Sequence, residues 1–391
     1  MKPDFFEHYT KQYNGIITDF ASLPPEVNRF LTACQYSIKE DIDFISNYKE
    51  IYDFRPEFNI GFLNTIQKTA FTCADKTYEK CFVGISIGLI LSVYNIVYEA
   101  LIPGTGFLDS YFDSDTDSEN KDDFQKIKRS TIHPVDIRFL MDRFCLYQHS
   151  SLPEERQIVL EGIVFTAIGF ICKHEMAHFF RSHATFSCDG LRASYFEEEY
   201  ANLLFGFDSH NSPEKLFMRA LESDADTQAV IMALRELEFE FTHDYTTDTV
   251  NQESVINTFF EFGLAVGVLF LCLDNNMSFE IQRMGSHPPS IIRFQNTVYI
   301  MRKYFEIVYG SEPNVLLEEH VNILSEIETL AMLMGYSVGL WVRTDTPQDG
   351  LYLDLQEMIE FWEAENPYSM ELLEQIDRHA VYDFIGLNLN N

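Results

Sequence analysis

The stretch SLPEERQIVLEGIVFTAIGFICKHEMAHFFRSH (151–183) decides the fold, because its pattern predicts one long helix inside the protein. Ser151 is a suitable N-cap, Pro153 follows early, and two glutamates occupy the first turn. The segment Gly162–Cys172 carries no charge, and a helix that is apolar on every side is buried on every side. The sequence therefore predicts a core helix with several polar residues at its end.

Those polar residues include His174, Glu175 and His178, which form the motif H-E-x-x-H. On a helix the two histidines are one turn apart on one face, so both imidazoles can reach one metal ion. Glu175 is rotated about 100° from His174 and cannot point along the same ligand direction. Beside the metal's open position, it could take a proton from water. Polar groups at the end of an apolar helix are costly without such a function.

A catalytic zinc site needs a third protein ligand. His183 lies five residues beyond His178, some 500° around the helix and about 140° away from the ligand face. It cannot share the metal while the helix continues. We therefore expect His183 behind the ligands or at the helix end.

The third ligand is expected from the stretch ALESDADTQAVIMAL (220–234). Glu222 and Asp226 share a helix face, whereas Asp224 lies about 200° from Glu222. Either the pair faces the metal or Asp224 does, and the pair is the stronger interpretation. Glu222 would then bind zinc, and Asp226 would accept the outer N–H of a histidine ligand. The alternative is a solvated acidic helix face.

A third polar element is RMGSHPPSIIRF (283–294). His287 precedes two prolines, which favour an extended conformation at a helix entrance. An imidazole near a zinc site can donate a hydrogen bond to an oxyanion, although His287 could equally be a structural cap. Arg293 follows six residues later.

The whole chain predicts a predominantly helical α+β protein. Apolar spacing predicts helices through the first 108 residues, and the acidic loop 109–123 lacks the Gly and Glu that a calcium-binding loop needs. Aromatic and branched residues, with Pro134, make 130–151 the best place for extended structure. Helical patterns return after Ser212 and in the last 90 residues. The predicted regions are a helical N-terminal region (1–129), a catalytic region with a small sheet (130–305) and a helical C-terminal region (306–391).

The composition is that of a folded, acidic protein. The chain has 391 residues, which predicts two or three subdomains, and 46% of them are hydrophobic, which excludes a disordered chain. The net charge of −33 repels nucleic-acid phosphate and anionic lipid, so we expect neither as a partner. Seven irregularly spaced cysteines and an N-terminus without an apolar segment predict a cytoplasmic protein.

Two apolar runs raise the question of a membrane. The run 82–98 carries no charge over 17 residues, and the run 262–273 is shorter. A spanning helix needs about 20 apolar residues. Both runs contain G-x-x-x-G, which permits close helix packing in lipid and in soluble cores alike. The lengths favour buried core helices over membrane spans.

The three polar elements together resemble the gluzincin metallopeptidases, above all the CaaX-prenyl-protease and HtpX-like families. In those families H-E-x-x-H is often followed by a histidine five residues on, as in His174–His178 with His183. Their E-x-x-x-D is similar to Glu222–Asp226, and their H-P-P-x-x-x-R is similar to His287–Arg293. More loosely, the chain resembles soluble Lit-type phage-exclusion peptidases.

The resemblance implies a zincin-like unit that binds one zinc ion and acts as an endopeptidase on a protein or peptide substrate. Two other classes compete with it. One is a zincin-like sensor or binding protein without catalysis, and the other is an integral-membrane HtpX-like protease spanning at 82–98 and 262–273. The implied site comprises the ligands His174, His178 and Glu222, the general base Glu175, the oxyanion or substrate contact His287, and the supporting residues Asp226, Arg293 and His183.

Overall fold

The computed structural model is mostly helical with one small mixed sheet, which confirms the predicted fold class. It describes residues 10–11, 14–47, 57–74, 80–112, 136–149, 152–181, 183, 213–243, 252–274 and 287–334. The α-helices in this part of the chain are α1 (Pro25–Asn47), α2 (Ile87–Ala100), α3 (Ile137–His149), α4 (Glu154–Phe180), α5 (Pro213–His243), α6 (Gln252–Asp274), α7 (Ser290–Val308) and α8 (Pro313–Leu333).

The long helix predicted from 151–183 is α4. It begins directly after Pro153, and the expected cap Ser151 lies outside the described residues. The apolar pattern predicts burial over Gly162–Cys172; Ala167–Cys172 are buried, whereas Gly162 is exposed and Phe165 and Thr166 are half-buried. Burial then continues to Phe180. The helix ends where the Arg181 N–H bonds to the carbonyl of Ala177. The chain therefore leaves the helix before it reaches His183.

The sheet lies between residues 57 and 86, where we predicted helix, so that expectation is wrong. Its strands are β1 (Glu57–Leu63), β2 (Ala70–Ala74) and β3 (Lys80–Ser86), in the order β1-β3-β2. The central β3 is parallel to β1, with Val83 opposite Ile60, and antiparallel to β2, with Val83 opposite Thr72. All of β3 after Lys80 is buried, so its side chains do not alternate in polarity. Periodicity cannot distinguish such a strand from a buried helix.

The apolar run 82–98 is therefore not one helix. It divides at Ser86, whose hydroxyl accepts the N–H of Leu89 at 3.0 Å and caps the first turn of α2. The prediction of a buried segment is correct, since every residue of α2 except Glu99 is buried. The run thus supplies both the central strand and a core helix.

The expectation of extended structure over 130–151 is also wrong where the structure describes that segment. Residues Ile137–His149 form α3, and Asp136 accepts the N–H of Phe139 at 2.8 Å in a capping contact. Leu140, Phe144 and Tyr147 are buried at helical spacing. This spacing and the cap outweigh the weak preference of aromatic residues for strands. Pro134 lies outside the described residues.

One hydrophobic core joins the described parts of all three predicted regions. It runs from Val27 of α1 through Phe170 of α4 to Ile323 of α8. Helix α4 lies at its centre and packs against α5, α6, α2, α1 and the sheet. The predicted boundary at 305/306 falls inside α7, which packs on α6 together with α8.

Two helices, α4 and residues Glu253–Asp274 of α6, are long and apolar enough to cross a membrane. Of their most apolar windows, 61% and 78% of residues are buried inside the fold. Core helices of soluble proteins pass the same test, so this is weak evidence for a span. In the run 82–98 the only apolar helix is α2, which at 14 residues is shorter than a span requires.

Candidate metal centre

Two helices bring three ligand-type side chains to one point in the core. His174 and His178 leave α4 one turn apart, with their Nε2 atoms 3.1 Å from each other. Glu222 leaves α5 and places Oε2 3.4 Å from His174 Nε2 and Oε1 3.4 Å from His178 Nε2. All three side chains are buried. They form a group that could hold one metal ion.

Asp226 lies behind His174, one helical turn from Glu222. Its Oδ1 is 2.9 Å from His174 Nδ1. Arg293 of α7 donates to both oxygens of this carboxylate, from Nε at 2.8 Å and from a terminal nitrogen at 2.9 Å. The nearby negative charge of Asp226 favours a proton on Nδ1 of His174 when the ring is neutral. Nε2 then faces Glu222 with its lone pair.

His178 is supported by residues from beyond the end of α4. The Nδ1 atoms of His178 and His183 are 2.7 Å apart. His183 Nε2 lies 2.9 Å from Asp224 Oδ2, and Arg181 donates to both oxygens of Asp224, at 2.7 and 3.2 Å. All four side chains are buried. Of the two interpretations of the acidic stretch, the structure places Glu222 at the histidine pair and Asp224 behind it.

The protonation states of His178 and Glu222 favour the binding of a cation. Burial lowers the pKa of His178 to about 3, so this ring is neutral. Burial would raise the pKa of Glu222, but His287 and His178 hold it well below its usual value. Glu222 Oε1 is buried and has no hydrogen-bond partner among the described residues. A buried carboxylate oxygen that faces the neutral ring of His178 is costly unless a cation binds nearby.

His174 behaves differently in the metal-free group. Burial disfavours its charge, but Asp226 and Glu222 outweigh burial and raise the pKa of His174 to about 9. The ring is therefore an imidazolium near neutral pH, and a metal ion would have to displace the proton on Nε2.

Glu175 follows His174 directly in α4. Burial raises the pKa of its carboxyl to about 7, against the opposing effect of His174. Its Oε2 is buried and has no hydrogen-bond partner among the described residues. Thr72 of β2 donates to the main-chain carbonyl of Glu175 at 2.7 Å, which fastens the sheet to this turn of the helix. A carboxyl group with a pKa near 7 suits a general base.

His287 also reaches the group, from the segment before α7. Its Nε2 lies 3.5 Å from Glu222 Oε1, and Pro289 caps the helix that follows. A terminal nitrogen of Arg293 lies 3.4 Å from Glu222 Oε2, and its guanidinium stacks 4.9 Å from the ring centre of Phe270. The structure thus gathers residues from α4, α5 and the start of α7 around Glu222.

Sequence reasoning missed Arg181 and Thr72 as neighbours of the group, and it considered Asp224 only as an alternative ligand. Helical spacing placed Asp224 on the face opposite to Glu222, which gave no reason to expect it as a support for Glu222 and the histidines. The chain beyond Phe180 leaves the helix and packs His183 and Arg181 against that face. No local signal marks Thr72, because its contact with Glu175 spans 103 residues.

No protein-family model, curated protein or solved structure matches this chain. The resemblance to gluzincins consequently rests on the three motifs, and it stays a prediction.

Proposed function

We propose that this protein is a zinc-dependent endopeptidase acting on a protein or peptide substrate. The observation that carries the proposal is the buried carboxyl group of Glu175, whose pKa is affected by burial and by the charges of His174 and Glu222 and whose Oε2 lacks a hydrogen-bond partner among the described residues. A ligand set alone is typical of any metalloprotein. A titratable base beside it is what hydrolysis requires.

Zinc is supported by the donor set and its spacing. Two imidazoles and one carboxylate are a ligand set of catalytic zinc sites, which leave a fourth position open. Two ligand atoms about 2.0–2.1 Å from zinc at the tetrahedral angle lie about 3.3 Å apart. Here the two imidazole Nε2 atoms are 3.1 Å apart, and each lies 3.4 Å from a different oxygen of Glu222, Oε2 for His174 and Oε1 for His178.

In this mechanism bound zinc would polarise the scissile carbonyl and lower the pKa of water. Glu175 would accept a proton from that water at Oε2 and later give it to the leaving amine. Its pKa of about 7 allows the side chain to perform both transfers near neutral pH. The contact between Thr72 and the main chain of Glu175 would keep the carboxylate aligned.

His287 would stabilise the negative charge that develops on the substrate oxygen. An imidazole N–H near Glu222 could donate a hydrogen bond to the oxygen that becomes negative during hydrolysis. Asp226 would orient His174, with Arg293 supporting both acidic residues.

The substrate class and the cellular location that we propose also come from the sequence. A net charge of −33 disfavours nucleic acid and anionic membrane surfaces, and the resemblance to gluzincins supports a protein or peptide substrate. The scattered cysteines support a cytoplasmic location.

The decisive experiment compares Glu175→Gln with the wild-type protein. The variant should keep stoichiometric zinc by mass spectrometry but lose about 100-fold or more of cleavage, because the amide cannot accept the proton. Substrates would be found by comparing the termini of cellular proteins exposed to either form. Glu155→Gln, which changes an exposed glutamate in the first turn of α4, is the matched control and should cleave normally. Full cleavage by Glu175→Gln, or wild-type protein without zinc, would refute the proposal.

Burial favours one second candidate, a non-catalytic protein with a structural metal ion. His178 is 0% and Glu222 1% exposed, and structural zinc sites are closed to solvent. In that case the wild type and Glu175→Gln would bind zinc equally and produce the same set of cellular peptides.

A further inference from the structure

Beyond the ligand group, a row of buried polar side chains continues away from the proposed metal. It runs from His178 through His183 and Asp224 to Arg181, with successive contacts of 2.7, 2.9 and 2.7 Å. We call this row the His178 relay. Its last three members have no role in the proposed hydrolysis. Burying three further polar groups beside a metal site needs an explanation.

The ion pair between Arg181 and Asp224 determines the charge of His183. Arg181 is always protonated, and Asp224 accepts two hydrogen bonds from it, so these two charges cancel. A second positive charge on fully buried His183 would have no counter-charge of its own. We therefore take His183 as a neutral ring with one proton.

The position of that proton follows from hydrogen-bond chemistry. A carboxylate only accepts, so the nitrogen of His183 that faces Asp224, Nε2, must carry the proton. His183 Nδ1 is then an acceptor. It faces Nδ1 of His178 at 2.7 Å, so His178 must donate from Nδ1. The remaining nitrogen of His178, Nε2, has no proton and points to Glu222 and His174.

We infer that Asp224, acting through His183, determines which ring nitrogen of His178 carries the proton and so prepares Nε2 to bind the metal ion. His183 and Asp224 are positioning residues, and neither touches the reacting atoms. The inference rests on the proposed metal site. It assigns one supporting carboxylate to each histidine ligand, Asp226 directly to His174 and Asp224 through an intervening ring to His178.

The test replaces His183 with side chains that keep or lose the relay while leaving the Asp224–Arg181 pair intact. In His183→Gln, the amide oxygen can accept from His178 and the NH₂ group can donate to Asp224. In His183→Met, neither bond can form. Without an acceptor at Nδ1, the proton of His178 should move to Nε2, where Glu222 lies 3.4 Å away.

Two measurements follow, one of them independent of metal. Ring ¹⁵N–¹H correlation spectra of the metal-free, histidine-labelled protein report the tautomer, and His178→Gln identifies the signal among eleven histidines. We expect the Nδ1–H form in the wild type and His183→Gln, and the Nε2–H form in His183→Met. Zinc affinity, measured by competition with a chromophoric chelator, should fall about 10–100-fold in His183→Met and less than about threefold in His183→Gln.

A third variant tests Asp224 itself. Arg181→Met with Asp224→Leu removes both charges together, which folds tolerate better than the loss of one. It should weaken zinc binding as His183→Met does. Glu155→Gln, in the exposed first turn of α4, is the control, and its affinity should match the wild type.

An unchanged His178 tautomer in His183→Met, or equal zinc affinities for the Gln and Met variants, would overturn the relay. If the double variant does not fold, the tautomers and zinc affinities of the two His183 variants are sufficient to test the relay. Protein that binds zinc and shows the expected tautomers but cleaves nothing would refute the hydrolase and support the relay.

Discussion

His174 and Glu175 are neighbours in the chain, yet their pKa values rise for different reasons. For Glu175 burial is the main cause, because an anion is unfavourable in the core. For His174 burial acts in the opposite direction, and the adjacent carboxylates of Asp226 and Glu222 outweigh it. The same helical turn therefore holds a base that titrates near pH 7 and a ligand that keeps its proton until about pH 9.

The pKa of His174 predicts proton release on metal binding. At pH 7 the ring is protonated in the metal-free protein, and the metal needs Nε2 without its proton, so about one proton per ion should leave from this ring. Above about pH 9 the proton is already lost, and release from His174 should vanish. Zinc affinity should accordingly rise with pH up to that point.

Proton release can be measured with an indicator dye in weakly buffered solution during zinc titration. Asp226→Asn is the informative control, because loss of that carboxylate should lower the pKa of His174 and reduce the release at pH 7. Equal release at pH 7 and pH 10 would contradict the prediction.

At the level of elements, helix geometry positions the site and close packing holds the helices. The pairs His174/His178 and Glu222/Asp226 are each one turn apart, on α4 and α5 respectively. The G-x-x-x-G pattern of α6 has a packing role. A Cβ added at Gly263 or Gly267 would lie 2.6 Å from the Cδ1 atom of Ile323 or Ile327 of α8. These glycines therefore let two core helices approach closely.

We predict that Gly267→Ala destabilises the fold by about 1–3 kcal/mol, because the new methyl group overlaps two side-chain atoms of Ile327. Gly162→Ala on α4 is the matched control. A Cβ there meets nothing within 4 Å, so the helix propensity of alanine should stabilise by up to about 1 kcal/mol. Urea unfolding followed by circular dichroism measures both. A stabilising Gly267→Ala would show that α6 and α8 pack less tightly than described.

At the scale of the whole molecule, ion pairs made by a buried lysine connect the N-terminal helix to the helix that carries H-E-x-x-H. Lys173 of α4 lies 2.8 Å from Asp41 of α1 and 2.8 Å from Glu236 of α5. Lys173 is 3% exposed. Thr72 adds a contact from the sheet to Glu175. The described N-terminal elements are thus part of the same folded unit as the site.

Removing the central charge should therefore destabilise the whole fold. Lys173→Met leaves Asp41 and Glu236 facing each other without a cation, at a cost of about 3–5 kcal/mol. The triple variant that also carries Asp41→Asn and Glu236→Gln should recover much of this loss. Lys39→Met, at an exposed position of α1, is the control and should change stability by less than about 0.5 kcal/mol. Denaturant midpoints of the four proteins would show whether the buried lysine has this effect.

Much of the helical framework was predictable, because amphipathic or apolar spacing over many residues is a strong signal. This holds for α4, for α5 from Pro213 and for α8, which lies in the C-terminal segment predicted as helical. The sheet was not predictable. The strand β3 is short and buried, so its apolar run resembles that of a helix. The helix α3 was obscured by aromatic residues whose strand preference is weak.

By itself the sequence determined the local geometry of the candidate site. Residues four apart on a helix must share a face, so His174 with His178 and Glu222 with Asp226 were predictable as pairs. Only the tertiary structure decided that these pairs meet at 2.9–3.4 Å and that His183 turns back to Asp224. The physical reason is that helix spacing is set by backbone hydrogen bonds between near neighbours. Contacts across 41 residues depend on how the whole core packs, and on where a helix ends.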